Sequence, residues 1–150
     1  MSAAENTAKK PEMINPALTF EELAENFDLF DDWEDRYRYI IDLGKRLPEL
    51  PDKYKTDATK VRGCMSQVWM IPGHVDDDAE KFAFAADSDA HIVKGLIAVL
   101  AILYTGKSAE QIAAIDADDA FTQLDLDQHL SPSRRNGLGS MVERIRAFAA

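Results

Sequence analysis

The chain has a single cysteine, Cys64, among its 150 residues, so no disulfide can form within it and no multi-cysteine zinc or iron–sulfur site can be built from it alone. Basic residues are also in short supply. Seventeen lysines and arginines stand against 27 acids, a formal net charge of −10, and a polyanion such as nucleic acid is repelled by that balance unless basic groups gather on one face. The sequence shows no such run. Long hydrophobic stretches are missing as well: the longest, Leu96 to Leu103, is bounded by Lys94 and Lys107 and falls far short of the roughly 20 residues that span a bilayer. It reads as a core helix, and no membrane is expected as a partner. Met1 to Pro11 lacks an apolar stretch of signal-peptide type, so a cytoplasmic, reducing compartment is expected, where a free thiol persists.

Hydrophobic residues make up 46% of the chain and charged residues 29%, an ordinary globular balance. A chain of this length buries about 70% of the surface its unfolded form exposes, enough for one domain with a core of its own. Residues 1–17, small and polar groups carrying two prolines, read as a mobile tail, and 18–150 as a single domain. Thr19-Phe20-Glu21-Glu22 is a capping box opening a short helix to about Asn26. Asp31 and Asp32 open a second helix, with Trp33, Tyr37, Ile40, Ile41, Gly44 and Leu47 at helical spacing; Pro48 and Pro51 end it.

The period then changes. Gln67 to Ile71 and Lys81 to Ala86 alternate and read as strands, with Pro72-Gly73 and the acids Asp76 to Asp78 marking the reversal between them. Thr59 to Arg62 reads as a further short strand. Ser88 is placed to cap a helix from His91 to Tyr104, and Gly106 to stop it. Ser108 and Gln111 form a second capping box, another short helix covers Asp118 to Leu124, and Ser131-Pro132 opens a last helix carrying Leu138, Met141, Val142, Ile145 and Phe148. The predicted fold is α+β: a small antiparallel sheet packed against several helices on one side.

Chemistry concentrates on Val61-Arg62-Gly63-Cys64-Met65-Ser66-Gln67-Val68-Trp69. Gly63 allows a sharp bend that holds the thiol where another molecule can meet it. A thiolate is the reactive form, and a free cysteine with a pKa of about 8.5 is only a few per cent ionised at neutral pH. Arg62 and Arg134 are the cations that could raise that share. The histidines His74, His91 and His129 match no ligand spacing with Cys64, so no metal site is expected. Asp89, in the first turn of a helix, suits the positive end of its dipole whether or not it has a further role. Arg134 and Arg135 sit where that dipole disfavours cations, which points to an anion or acidic partner from outside. Ser66 and Gln67 can satisfy the turn's own backbone groups.

Three segments, Gly63 to Trp69, Asp87-Ser88-Asp89-Ala90-His91-Ile92-Val93-Lys94-Gly95-Leu96-Ile97 and His129-Leu130-Ser131-Pro132-Ser133-Arg134-Arg135-Asn136-Gly137-Leu138, together with Tyr39 to Pro48, resemble the signature segments of the SufE family of sulfur acceptors, in the same order. The resemblance implies a small antiparallel sheet packed against helices, like that of iron–sulfur assembly scaffolds. It also implies an activity: persulfide sulfur is taken onto Cys64 from a pyridoxal-phosphate (PLP)-dependent cysteine desulfurase, which is thereby stimulated, and passed to an iron–sulfur assembly scaffold. The PLP belongs to the partner, and the acceptor carries no cofactor of its own. Asp89 and Arg134 fall on family positions near the cysteine or the partner surface, with Gly63, Arg62 and Ser66 as loop support. Met65 departs from the family, which usually has a polar residue there. Monomer and homodimer are both left open. Two other readings stand beside this one: a cluster-binding scaffold with a cluster bridged between two chains, and a cysteine hydrolase built on Cys64, His91 and Asp89.

Overall fold

A computed structural model describes residues 11–150. The predicted capping box closes at both ends, Thr19 Oγ1 accepting from the Glu22 amide at 3.1 Å and Glu22 Oε1 from the Thr19 amide at 2.9 Å, and it opens α1, Phe20–Asp28. Helix α2, Trp33–Lys45, is capped by Asp32, whose carboxylate accepts from the Asp35 amide at 2.9 Å. The buried residues of α2 are Ile40, Leu43 and Gly44. After a 3-10 turn, Asp52–Tyr54, the chain runs through the cysteine loop into the hairpin β1, Val68–Val75, and β2, Asp78–Ser88.

The two strands pair antiparallel with Val68 opposite Ser88 and Met70 opposite Ala86. Val68, Met70, Phe82, Phe84 and Ala86 share one face and belong to the main core. Strand β1 runs through Pro72 and Gly73, where the sequence suggests a reversal. Of the two expected marks of the reversal only the acids hold: the turn lies at Asp76 and Asp77, with φ of 50° and 60°, a left-handed pair of the kind that joins two-residue hairpins and that aspartate tolerates. Proline costs β1 little if its missing amide faces an open strand edge. The third strand expected at Thr59 to Arg62 is reduced to one bridge, Lys60 opposite Trp69, flanked by the Val61 amide donating to the Val68 carbonyl at 2.8 Å and the Met70 amide to the Thr59 carbonyl at 2.9 Å.

Helix α3, His91–Tyr104, is apolar on almost every face and buried from Gly95 onward. It meets α2 backbone to backbone: a Cβ on Gly95 would lie 2.3 Å from the Ile40 carbonyl oxygen, and one on Gly44 2.5 Å from the Gly95 nitrogen. Ser88 does not cap α3. It is still in the strand, paired with Val68, and its Oγ accepts from the Ala90 amide at 3.2 Å; the N-cap position is Ala90, without a side-chain acceptor.

Helices α4, Ala109–Ala114, and α5, Ala117–Gln123, are capped by Ser108 and Asp116. Sequence reading has no counterpart for α6, Leu126–His129, entered through Asp125 at φ 58°. It is pinned to α2 by His129, whose ring stacks on Trp33 at 4.0 Å and whose carbonyl accepts from the Tyr37 hydroxyl. Helix α7, Pro132–Ala149, starts at Ser131, whose Oγ accepts from the Arg134 amide at 3.3 Å, and buries Gly137, Leu138, Met141, Val142 and Ile145. Of the expected tail, residues 1–10 lie outside the described residues. The remainder is packed in part, since Ile14 is 4% exposed and its amide donates to the Phe84 carbonyl at 2.9 Å. Among the described residues no helix is long and apolar enough to cross a membrane.

Candidate functional site

Gly63 has φ of 90°, a conformation that side-chain-bearing residues rarely adopt, and its Cα faces α7 so closely that a Cβ would come 2.4 Å from Ser140 Oγ. The bend turns Cys64 inward. The thiol is half-buried, and its Sγ lies 3.5 Å from the Gly137 carbonyl oxygen, the geometry of a weak S–H donor. The thiol packs directly on Gly137, where even a Cβ would stand 3.4 Å from the sulfur, at ordinary contact distance.

Cys64 opens into a cavity of about 210 Å³. Val93 and Leu96 of α3 and Leu138 and Met141 of α7 supply its apolar walls; Ser66, Ser131, Ser133 and Arg134 supply polar ones. Met65 stands among the lining residues with 87% of its surface exposed. Burial pushes the Cys64 thiol above its ordinary value, since a thiolate loses hydration there. The expected activation by Arg62 and Arg134 is therefore not what this geometry gives: Arg134 lines the cavity, Arg62 does not, and neither offsets the loss of water around the sulfur.

The remaining predicted residues fall around the loop. Ser66 lines the cavity. Asp89 accepts from the Gln67 amide at 3.0 Å, so its carboxylate fastens the exit of the cysteine loop to the start of α3. Arg62 is exposed and lines an open groove beside α7 with Arg135, Ser140, Glu143 and Arg144. Arg144 ties that side down, its guanidinium donating to the carbonyls of Lys60 at 3.2 Å and Ala58 at 2.9 Å. No histidine lines the thiol cavity, and His91 is exposed at the N-terminus of α3, so the hydrolase reading lacks its base beside the sulfur. Among the described residues no three His, Cys, Asp or Glu side chains gather as a metal site would require.

Sequence reasoning passed over Asp87. It is 6% exposed, bridges Lys55 at 3.2 Å and Lys94 at 3.4 Å, and accepts from the Ser88 amide at 2.8 Å. Lys55 also reaches Asp52 at 3.4 Å and lies over the Trp69 ring at 5.3 Å. Burial works against the charge on Lys55, but the two carboxylates outweigh it and its pKa is raised. This network joins the segment leading to the cysteine loop, the end of β2 and α3. The available signal was strand alternation, which puts Asp87 with Ala83 and Ala85 on the face opposite the phenylalanines, where an acid flanked by small residues calls for cations. Gly137 and Ser140, three apart on α7, were likewise unmarked as the surface on which the loop rests.

Residues 21–149 match the family model SufE, the Fe-S metabolism associated domain. Two curated relatives are an uncharacterized SufE-like protein of Rhizobium etli, 49% identical over 133 residues that cover 87% of this chain and 89% of that protein, and one of Rhizobium meliloti, 47% identical over 133 residues, with 87% and 94% covered. In fold the chain is similar to the solution structure of a hypothetical protein from Thermus thermophilus, with a TM-score of 0.68, 18% identity, and coverage of 87% of this chain and 92% of that one. With the family model spanning nearly the whole chain and the relatives nearly half identical to it, this protein belongs to the SufE family.

Proposed function

We propose that the protein accepts sulfane sulfur on Cys64 from a PLP-dependent cysteine desulfurase, stimulates that enzyme by clearing its product, and delivers the sulfur to an iron–sulfur assembly scaffold. The observation that carries this reading is a single thiol on a tight glycine bend, seated in a cavity with room beside the sulfur. The protein needs no cofactor for this step and acts as an accessory rather than an enzyme in its own right. A reducing cytoplasm suits it, because the free thiol is the working group.

In the transfer step the Cys64 thiolate attacks the outer sulfur of the donor's persulfide. A bond forms between Cys64 Sγ and that sulfur, the donor's S–S bond breaks, and the donor sulfur leaves with the electron pair as a thiolate that takes up the proton Cys64 gave up. The products are a Cys64 persulfide and a donor thiol. The polar side of the cavity, Ser66, Ser131, Ser133 and Arg134, offers hydrogen-bond donors to the terminal sulfur, and its apolar walls limit water and oxidants.

Incubation with the desulfurase and cysteine, followed by intact-mass analysis, tests the reading. The wild-type chain is expected to gain the mass of one sulfur atom, reversibly with a reducing thiol, and Cys64→Ser is expected to gain none while unfolding at nearly the same temperature. Sulfur on the serine variant at the wild-type level, or none on the wild type, overturns it.

A further inference from the structure

We infer that the arginine-lined groove beside the cysteine loop is a docking surface for an acidic face of the sulfur-donating enzyme; this rests on the function proposed above. The groove beside the cysteine loop carries Arg62, Arg135 and Arg144 against one acid, Glu143, a net +2, and the loop packed on α7 adds Lys60. This corner is strongly cationic in a chain whose total is −10. Arg62, Arg135 and Arg144 line one open groove, and none of the three has a carboxylate within ion-pair distance among the described residues, whereas Arg36 and Arg38 on α2 do.

A cluster of like charges repels itself, and Arg135 in addition opposes the dipole at the start of α7. Glu143, in the same groove, offsets one of the three arginines and leaves a net +2, and the complement to that charge comes from outside. Position selects the partner. The groove and the thiol cavity flank the same loop, with Gly63 against Ser140 on one side and Cys64 against Gly137 on the other. A body seated in the groove is thus held over the sulfur. Because the rest of the chain is acidic, an acidic partner is repelled in other orientations and steered to this one, which speeds productive encounters and makes them sensitive to salt.

The test uses the full chain and the cysteine desulfurase encoded in the same genome, with sulfur acceptance measured against acceptor concentration at low and high salt. Wild type is expected to need more protein for half-saturation as salt rises. Arg62→Glu/Arg135→Glu is expected to raise the half-saturating concentration about tenfold or more at low salt, to keep the rate at saturation, and to lose most of the salt dependence. Arg62→Gln/Arg135→Gln, which adds no repulsion, is expected to show a smaller shift of the same sign. Thermal unfolding near the wild-type temperature shows that the variants are folded. If wild type accepts sulfur but its half-saturation ignores both salt and the substitutions, the groove reading is wrong and the relay stands. If wild type accepts none, both fall. A wild-type dimer that dissociates in the variants, or binding of a labelled DNA duplex that the variants lose, assigns the groove to a second copy or to nucleic acid and overturns the inference.

Discussion

At the scale of single residues, the site depends on what surrounds one sulfur. The cavity that protects Cys64 also suppresses its ionisation, since burial raises the thiol's pKa. Below that value the protonated form dominates and alkylation is slow; above it the thiolate is released. A profile of Cys64 alkylation by iodoacetamide against pH is therefore expected to have its midpoint above the roughly 8.5 of a free cysteine, and to move back toward that value when the loop is unfolded in urea. A profile centred at or below the free value would mean that the thiol is not desolvated. Gly63 sets the other constraint. Gly63→Ala puts a Cβ on a left-handed residue and against Ser140, a combined cost of about 1–3 kcal/mol, measurable as a lower urea midpoint. Neither the desolvation nor the contact with Ser140 was legible in the sequence. Gly63 marks a bend, but what the bend leans on comes from a helix more than seventy residues away.

At the scale of elements, what the sequence showed and what it hid divide by range. Both capping boxes, the aspartate cap of α2 and the Ser131-Pro132 start of α7 are local hydrogen-bond patterns, and each is readable from four residues; the cap of α5, Asp116, lies two residues before the expected start at Asp118. The hairpin was readable in type but not in extent, because Pro72-Gly73 carries the chemistry of a turn while register with β2 keeps it extended. Ser88 failed as a cap for a similar reason: pairing with Val68 held it in the strand. Helix α6 has too short a sequence to show a period, and it persists through the stack of His129 on Trp33. Asp87 is the element-level feature with the largest expected effect. Asp87→Asn removes the charge that two partly buried lysines share, and a loss of about 2–3 kcal/mol in unfolding free energy is expected after allowance for their partial exposure. Asp52→Asn, at an exposed carboxylate, is expected to cost less than about 1 kcal/mol.

At the scale of the whole molecule, charge and rigidity decide behaviour. Lys55 has a raised pKa, so its ion pairs stabilise the fold fully below the ordinary lysine value and are lost as pH climbs through the raised one. Stability is expected to decline on the alkaline side of about pH 10, and that part of the decline to vanish in Lys55→Met. The net charge was legible from composition, but its uneven distribution was not, since the arginines that gather beside the thiol are separated by some seventy positions. The join between α2 and α3 bears on how such a molecule can move. At Gly44 and Gly95 the helices approach so closely that a Cβ on either would run into the other's main chain. That seam is a fixed strut, and Val93 and Leu96 are mounted on it. Uncovering of the sulfur is then expected to come from the opposite wall, by the loop lifting off α7, leaving one half of the chamber standing as a mould into which Cys64 returns.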